Sequence, residues 1–528
     1  MIIGYEKLRL VQDDLKKANI DIIICDEGHR LKSANNKSAQ AIRALNTPRR
    51  VILSGTPIQN DLGEFFVMVD FVNPGICESY ATFKKEFENP IIKSRQPEAR
   101  KKDKEKGKAR SEQLASLTSL FILRRTADIL SKYLPPKAVE YVVFCKPTKA
   151  QIALYSGLLE SSSIRQCISG TDSPTHVLQA ITSLKKLCNC PSLIMTKASE
   201  GDSSYTNLAP IIDKYSSSIT TSGKLAVLDH FLQRLKKETD EKIVLVSNYT
   251  QTLDILQDLL NMRGMSFLRL DGSTAKLAFP YKALITSTKR QEYVDRFNRT
   301  NREGSFAFLL SSKSGGVGLN LIGASRLILF DTDWNPSVDL QAMARVHRDG
   351  QKRQVYIYRF LTTGMMDEKI YQRQITKQGL SDSFMDAKAN SSGNSFSLSE
   401  LRDLFTFHEN TSCHTHDLLG CTCLGKGEKP IKEELQSDEN DLEDELLGFI
   451  PASQAIAEIM PPRNNQMNAL NDYLHILPQE LNESELEELV EDDILNSVMR
   501  DTDSDSGHCK ISYLFVKYSA TPTEDSVD

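Results

Sequence analysis

Long apolar runs are absent from this sequence of 528 residues. No stretch reaches the roughly 18 apolar residues that a membrane-spanning helix needs, so we expect no membrane partner. The first residues have neither a basic segment nor a cleavage-site pattern, which argues against a secretory signal peptide. Only ten cysteines are scattered through the chain. That number excludes a disulfide scaffold and favours a reducing compartment.

A phosphate-cradling loop is also absent, because nothing in the chain fits the pattern G-x-x-x-x-G-K-[S/T]. In nucleotide hydrolases with that pattern, backbone amides and the lysine hold the β- and γ-phosphates. Any nucleotide chemistry in this chain must therefore rest on other motifs.

The net charge of −5 combines two halves of opposite sign. Residues 431–528 contain 24 acidic and 5 basic side chains, which leaves 60 basic and 46 acidic side chains in residues 1–430. The body thus carries +14 and the tail −19. A basic body suits a polyanion, because lysine and arginine on phosphates release condensed counterions. Evenly spread surface charge explains the numbers equally well. We expect DNA affinity in the body, opposed by the tail.

Two predicted strands near the start end in polar residues. The apolar run 20–25 predicts a strand covered on both faces, and it ends in Asp26 and Glu27. A second predicted strand, 50–53, ends in the letters S-G-T-P. Parallel α/β sheets place their functional groups at the carboxyl ends of strands, so both endings are well situated.

The remaining sequence predicts helical insertions and a second α/β domain. Residues 93–110 are rich in lysine and arginine and predict a surface insertion, for which a solvated helix is a simpler explanation than DNA contact. Residues 138–220 are interpreted as helical and loop-rich. Alternation with helices predicts a second parallel sheet from the strands 242–247, 267–270, 306–311, 327–330 and 355–360.

Three motifs have the chemistry that nucleotide hydrolysis needs. The adjacent acids Asp26 and Glu27 provide one carboxylate for Mg²⁺ and another to activate water, although such pairs are usually solvated turns. Clustered glycines in 311–321 allow backbone amides to approach phosphates. Arg345 and Arg348 are three residues apart, so on a helix they would share one face and clamp a γ-phosphoryl group. Taken singly, each arginine is better explained as a surface ion pair.

Eight motifs follow one another along the chain: D-E-G-H, S-G-T-P-I-Q-N, L-F-I-L-R-R-T, S-G-K-L, L-D-G-S-T, S-S-K-S-G-G-V-G-L-N-L, D-W-N-P and R-V-H-R-D-G-Q. This ordered set resembles the Swi/Snf-type helicase-like ATPases. Residues 71–75, 246–253 and 414–419 are most similar to the recombination-repair branch, the Rad-fifty-four type with its B paralogue. The resemblance implies ATP and magnesium as cofactors. It also implies double-stranded DNA and a strand-exchange recombinase as partners, and a nuclear location.

The same resemblance implies roles for individual residues. Catalytic roles fall on Asp26, which would hold magnesium, and on Glu27, Arg345 and Arg348. Nucleotide binding and coupling fall on Gly28, His29, Ser54, Gly55, Thr56, Gly316, Gly318 and Gln341. Coupling to DNA falls on Ser312, Lys313 and Trp334. For His29 and Trp334, a strand-end histidine with satisfied hydrogen bonds and a core aromatic are equally good explanations.

The expected fold is α/β, with two RecA-like parallel-sheet lobes, helical insertions and a mostly disordered acidic C-terminal tail. The expected segments are lobe 1 in 1–85, helical insertions and a linker in 86–220, lobe 2 in 221–380, an extension in 381–430 and the tail in 431–528. In the family, the phosphate loop and its strands would precede residue 1, so the first lobe is expected to be incomplete. An apolar insertion at 276–285 also departs from the family pattern.

Two functions from different classes fit these observations. The first is ATP-driven movement along duplex DNA in homologous-recombination repair, remodelling DNA or the recombinase filament. The second is a non-catalytic fragment that binds DNA or a protein partner, which the absent phosphate loop favours. The catalytic residues downstream favour the first function. The chain alone is expected to hydrolyse ATP poorly or not at all.

A separate group of residues has the chemistry of a metal site. Five side chains of the types that bind zinc occur within eleven residues: Cys413, His414, His416, Cys421 and Cys423. They are a candidate set for one Zn²⁺ that would pin the end of the second lobe. Their spacing is irregular, and ordinary loop cysteines explain them equally well.

Overall fold

The structure is a computed structural model. It describes residues 1–31, 37–45, 47, 49–54, 62–94, 100–123, 138–169, 174–199, 205, 208–215, 221–271, 287–312, 318–379, 398–421, 423–427, 470, 472–500 and 510–518. These residues form two compact units. The first unit contains residues 1–125, and the second contains 126–375, 393–436 and 467–528.

The first unit is built on a two-stranded parallel sheet. Its strands are β1 (Ile23–Cys25) and β2 (Arg50–Ile52), with Ile24 opposite Val51. One face packs against the helices α1 (Tyr5–Leu10), α2 (Gln12–Lys17), α3 (Lys37–Arg43) and α4 (Leu62–Val72). The other face exposes Ile22, Ile24, Val51 and Leu53. The expectation of a strand covered on both faces is therefore wrong within the described residues.

A helical group follows β2 in the first unit. Its helices after α4 are α5 (Tyr80–Phe83), α6 (Asn89–Ser94) and α7 (Lys101–Ser119). They enclose an apolar cluster that includes Phe83, Ile91 and Leu114. The basic segment predicted at 93–110 begins on α6 and continues on α7. Lys93 on α6 pairs with Asp103 on α7 at 3.1 Å, and Arg110 on α7 pairs with Glu86 at 2.6 Å. These ion pairs favour a solvated helical surface over a DNA-binding insertion.

The second unit is built on an eight-stranded sheet in the order β5-β6-β4-β7-β8-β3-β10-β9. Its strands are β3 (Ala138–Cys145), β4 (Ile243–Ser247), β5 (Phe267–Leu270), β6 (Ala307–Ser311), β7 (Arg326–Leu329), β8 (Val355–Thr362), β9 (Leu474–Ile476) and β10 (Ile511–Tyr518). The first six pair in parallel and the last two are antiparallel. The predicted α/β class and the five predicted strands of this sheet are confirmed.

Helices cover both faces of this sheet and form a separate layer before β4. That layer contains α8 (Lys149–Leu159), α9 (Ser162–Ser169), α10 (Pro174–Asn189), α11 (Ser192–Ser199) and α12 (Ala209–Ile212). The later helices are α13 (Gly223–Glu238), α14 (Thr250–Met262), α15 (Ser287–Arg299), α16 (Pro336–Met343), α17 (Met366–Gly379), α18 (Leu398–Leu404), α19 (His414–Leu419), α20 (Glu483–Leu489) and α21 (Asp493–Arg500). Helix α8 begins with a capping box from Thr148 to Gln151, which satisfies its first amides.

Two sequence predictions are wrong in this unit. Residues 138–145, interpreted as helical or loop, form β3, because five consecutive residues from Tyr141 are buried between the layers. The acidic tail is not disordered at 472–500 and 510–518. There β10 pairs with β3 over its whole length, and α21 buries Ile494, Leu495 and Val498 against the core. The high acid content of the tail hides these short apolar segments.

A buried ion pair holds the tail to the sheet. Asp492, just before α21, accepts a 2.8 Å hydrogen bond from Arg326 on β7 and a 2.6 Å hydrogen bond from the hydroxyl of Tyr358 on β8. Arg326 also pairs with Glu241 at 2.5 Å. Deleting 431–528 would remove two strands and leave Arg326 without this partner. Substitution of exposed tail acids is therefore the appropriate test of how tail charge affects DNA affinity.

Candidate functional site

The acidic pair lies at the carboxyl end of β1, as the sequence predicts. Asp26 is exposed, and its Oδ1 accepts a 2.9 Å hydrogen bond from the Glu27 amide. The Tyr5 hydroxyl donates to the Asp26 carbonyl at 2.7 Å. Glu27 has φ +51°, a left-handed conformation that costs a non-glycine residue roughly 1–3 kcal/mol. The turn therefore holds two neighbouring carboxyl groups at the strand end, and hard oxygen donors of this kind suit Mg²⁺.

Packing against β2 leaves no room for a side chain at Gly28. A Cβ at Gly28 would lie 2.2 Å from the Ile52 side chain, and the Gly28 amide donates to the Leu53 carbonyl at 3.0 Å. The glycine thus lets the turn lie flat against β2. His29 continues the short 3₁₀ turn Gly28–Leu31, and Ser54 is half-buried just after β2. Gly55 and Thr56 lie outside the described residues.

The glycine-rich block follows β6 in the second unit. Ser312 is nearly buried, and its amide donates to the Ser247 carbonyl at 3.1 Å. Lys313 and Gly316 lie outside the described residues. Gly318 has φ +27°, in the left-handed region. The predicted block therefore begins at the carboxyl edge of the sheet, where α/β sheets place ligands.

Gln341 is on α16, but the two arginines are not on a helix. The α-helix ends at Met343, and the Arg345 carbonyl instead accepts a 2.9 Å hydrogen bond from the Leu321 amide. Arg345 is 8% exposed, whereas Arg348 is exposed and lies 3.4 Å from the Gly318 and Leu319 carbonyls. The prediction that the arginines share one helical face is therefore wrong. Arg348 is the one open to a ligand from solvent.

Trp334 is half-buried against the apolar cluster of α8–α11 and α18. This position agrees with the core-aromatic interpretation. The next residue, Asn335, begins α16 by accepting a hydrogen bond from the Ser337 amide at 3.1 Å. Trp334 is therefore directly connected to the helix that carries Gln341.

A buried carboxylate on α16, that of Asp339, joins this helix to β8 and α17. The sequence does not indicate it. Asp339 accepts hydrogen bonds from Gln374 at 2.7 Å and Arg359 at 3.2 Å. Burial raises the pKa of Asp339 to about 6, although the Arg359 guanidinium opposes that rise. Both partners are distant along the chain, so no local motif marks the contact.

Four potential metal ligands lie close together beside the edge strand β9. His416, Cys421, Cys423 and His475 place one donor atom each within 4.8 Å of one another. The His416 Nε2 lies 3.2 Å from the Cys423 sulfur, which lies 3.5 Å from the His475 Nδ1. The other His475 nitrogen, Nε2, lies 3.2 Å from the Leu470 carbonyl. Two thiols and two imidazoles are a set that zinc prefers, and the carbonyl would fix the tautomer of His475.

Two of the five predicted zinc ligands do not belong to this cluster. Cys413 is buried at the start of α19, where its sulfur accepts from the His416 amide at 3.4 Å. His414 stacks on His408 with ring centroids 3.6 Å apart, and its Nδ1 lies 3.0 Å from the Gln372 amide nitrogen. Of the five predicted ligands, Cys413 and His414 therefore lie outside the cluster of potential donors. His475 replaces them from β9.

Two domain families match the chain. The SNF2-related domain matches residues 1–193, and the helicase conserved C-terminal domain matches residues 223–350. The chain therefore contains Swi/Snf-type SNF2 and helicase C-terminal domains, as its motifs predict. No helix among the described residues is long and apolar enough to cross a membrane.

The chain is also similar to individual proteins with established names. The chain is 48% identical over 442 residues to the human DNA repair and recombination protein RAD54B, covering 81% of this chain and 47% of that protein. It is 47% identical over 452 residues to RDH54 of Saccharomyces cerevisiae strain YJM789, covering 84% and 47%. A solved structure, the Sulfolobus solfataricus SWI2/SNF2 ATPase core in complex with dsDNA, matches with 25% identity and a TM-score of 0.35 over 70% of this chain and 69% of that one. The chain thus spans about half the length of the curated relatives it matches.

Proposed function

We propose that this chain is the larger part of an ATP-driven motor that moves along double-stranded DNA in recombination repair in the nucleus, with a strand-exchange recombinase as partner. The carboxylate pair at the end of β1, within a matched SNF2-related domain, is the observation that carries the proposal. The names of the relatives support the repair role.

The role proposed for each residue comes from the family resemblance, and the position of the residue supports it. Asp26 is exposed at a strand end and would hold Mg²⁺, and Glu27 beside it would orient and deprotonate water. Arg348 is exposed on the turn after α16 and would bind phosphate oxygens, with Gln341 before it. Bound ATP and Mg²⁺ would supply the transferable γ-phosphoryl group and neutralise its charge. Ser312 follows the carboxyl end of β6 and Trp334 follows that of β7, and together with Gly318 they would couple the nucleotide to DNA.

The second candidate function is DNA or partner binding without hydrolysis. The absence of any G-x-x-x-x-G-K-[S/T] pattern favours it for the chain by itself. Without an amide nest and lysine, ATP has no fixed position, so Arg348 has no aligned phosphate to stabilise. We therefore propose that the 528-residue chain hydrolyses ATP poorly, and that a phosphate-loop segment restores the activity.

A fusion tests both candidates. A phosphate-loop segment from a curated relative is joined before Met1, and ATP hydrolysis is measured with and without duplex DNA. We expect DNA-stimulated hydrolysis from the fusion only. Glu27→Gln should lower kcat by about 10²-fold or more, because it removes a base. The control Glu105→Gln, on the exposed surface of α7, should leave kcat unchanged. An inactive fusion would refute the motor, and strong hydrolysis by the unfused chain would refute its impairment.

We also propose that His416, Cys421, Cys423 and His475 bind one structural Zn²⁺. Structural zinc sites are four-coordinate and closed, and this set offers four protein donors. His475 lies on β9 in the tail, whereas the other three follow α18. Bound zinc would therefore tie the tail to the chain segment that follows the second lobe.

Elemental analysis tests the zinc site. Purified protein should contain about one zinc per chain. His416→Ala should lose most of it, because one of four donors is gone, while His414→Ala, two residues away and outside the cluster, should keep it. The zinc content and the melting temperature before and after chelation give the comparison. Equal zinc in both variants, or none in the wild-type chain, would contradict the site.

A further inference from the structure

Four consecutive residues after β7 each accept a hydrogen bond from a side chain elsewhere in the second unit. Phe330 ends the buried run of β7, and Asp331, Thr332 and Asp333 follow it at the carboxyl edge of the sheet. The segment 330–333 leads directly into Trp334 and α16. Its position therefore sets the position of the helix that carries Gln341.

Two of the donors come from α10 in the helical layer. The Lys185 ammonium donates to the Thr332 carbonyl at 2.7 Å, and the Asn189 amide donates to the Asp331 carboxylate at 3.0 Å. Both side chains are buried, with Lys185 only 3% exposed. A buried lysine is costly unless its donors are used, so this contact is specific rather than incidental.

The remaining donors come from helices packed on the sheet and from the end of β4, where Ser247 and the Asn248 amide also donate to the Asp331 carboxylate. Lys224 on α13 donates to the Phe330 carbonyl at 2.9 Å and to the Asn189 side chain at 2.7 Å. Its charge is balanced by Asp367 at 2.6 Å. Gln374 on α17 donates to the Asp333 carbonyl at 2.5 Å. The segment is thus held from three helices and from the end of β4, and α10 provides two of the contacts.

The contact from α10 continues toward the arginines. Trp334 packs against the apolar cluster to which α10 contributes Leu184 and Leu187. Asn335 then caps α16, and the chain leaves that helix at Met343 on its way to Arg345 and Arg348. A displacement of α10 would therefore be passed to α16 through polar contacts and packing within one unit.

We propose that Lys185 and Asn189 are positioning residues that fix the 330–334 segment, so that movement of the helical layer repositions the phosphate-binding turn after α16. Their effect on hydrolysis rests on the proposed function, but the contacts themselves do not. Neither residue touches the nucleotide in this scheme. They act through the backbone of the segment.

The single tryptophan of the chain is Trp334, so its fluorescence reports this segment directly. In the full chain, Lys185→Met keeps the length of the side chain and removes the ammonium. We expect the Trp334 emission to shift to longer wavelength and acrylamide quenching to rise about twofold, while far-UV circular dichroism is unchanged. Lys185→Arg should restore the wild-type spectrum, because its donors still reach a carbonyl. The matched control is Lys186→Met, since Lys186 instead contacts the Gln251 side chain at 2.6 Å.

A kinetic measurement separates positioning from simple packing. In the fusion that carries the phosphate loop, Lys185→Met should lower kcat about tenfold with the KM for ATP within about twofold. Unchanged Trp334 emission in a folded variant would overturn the proposal, as would a shifted emission with unchanged kcat. If Lys185→Met does not fold, Gln374→Leu releases the same segment from the other side and must give the same two effects. If the wild-type fusion is inactive, the proposed function fails, and the Trp334 comparison alone decides whether Lys185 holds the segment.

Discussion

Replacing Arg348 by alanine in the phosphate-loop fusion is expected to lower the DNA-stimulated kcat by about 10³-fold or more, the usual effect of losing an arginine that stabilises a transferring phosphoryl group. Arg348 is exposed, and its hydrogen bonds to described residues are two long ones, at 3.4 Å, to the Gly318 and Leu319 carbonyls. Its removal should therefore leave the fold intact. Arg348→Lys should not restore the rate, because a lysine lacks the planar fork that matches two phosphate oxygens.

The matched control for this variant is Arg353→Ala. Arg353 is also exposed, but it pairs with Asp240 at 2.8 Å beside the amino-terminal ends of the strands, away from the carboxyl edge. Steady-state rates at saturating DNA give kcat for both variants. A tenfold or smaller loss in Arg348→Ala, or an equal loss in Arg353→Ala, would remove Arg348 from the proposed catalytic role.

Replacing Asp492 by alanine is expected to lower the free energy of unfolding of the second unit by about 3 kcal/mol, the lower end of the cost of breaking a buried ion pair, because Arg326 loses Asp492 but keeps Glu241. Asp492 and Arg326 are both almost fully buried, and the Tyr358 hydroxyl also donates to Asp492. Urea unfolding followed by circular dichroism measures the change. The control is Asp493→Ala, one residue later and exposed, where loss of a helix-terminal charge costs about 1 kcal/mol or less. Equal midpoints for the two variants would show that the tail contributes little to the second unit.

The strands of the second unit could be predicted because each is a short, continuous apolar run between polar segments. All five residues of β4 and of β6 are buried, which is what a parallel sheet covered on both faces requires. The same rule could have identified β3, since residues 141–145 are equally apolar. The run stands at the start of a long segment, 138–220, that the sequence predicts to be helical and loop-rich.

The tail contains strands and helices where disorder is predicted, for a different reason. Its disorder was inferred from average acid content, but folding depends on where apolar residues fall. The strand β10 ends in Lys517 and Tyr518, yet buries Ile511, Leu514, Phe515 and Val516. A long acidic sequence can thus contain a core strand, and the hydrophobic pattern of a short segment outweighs the charge of its surroundings.

The candidate site residues also fall into two groups, those that a local sequence pattern predicts and those that only the fold brings into place. Asp26 and Glu27 were predictable because a strand end fixes its own following turn. The relation between Arg345 and Arg348 was not, because a hydrogen bond from Leu321 draws the chain out of helical geometry. In the metal cluster, neighbours along the chain gave three ligands. The fourth, His475, is 52 residues from Cys423 and is brought there by the pairing of β9 with β10 and by backbone hydrogen bonds between β9 and residues 425–427.

The pairing of β10 with β3 also has a consequence for synthesis on the ribosome. The side chain of Ser512 donates to the Phe144 carbonyl across 368 residues of sequence. Until that distant segment has emerged, β3 presents an unpaired row of backbone amides and carbonyls, and Arg326 lacks its Asp492 partner. Such long-range closure is slow and leaves a strand edge open to other chains in the meantime. The nascent protein therefore passes through a long interval in which a chaperone or a neighbouring chain competes for the place that its own last strand will occupy.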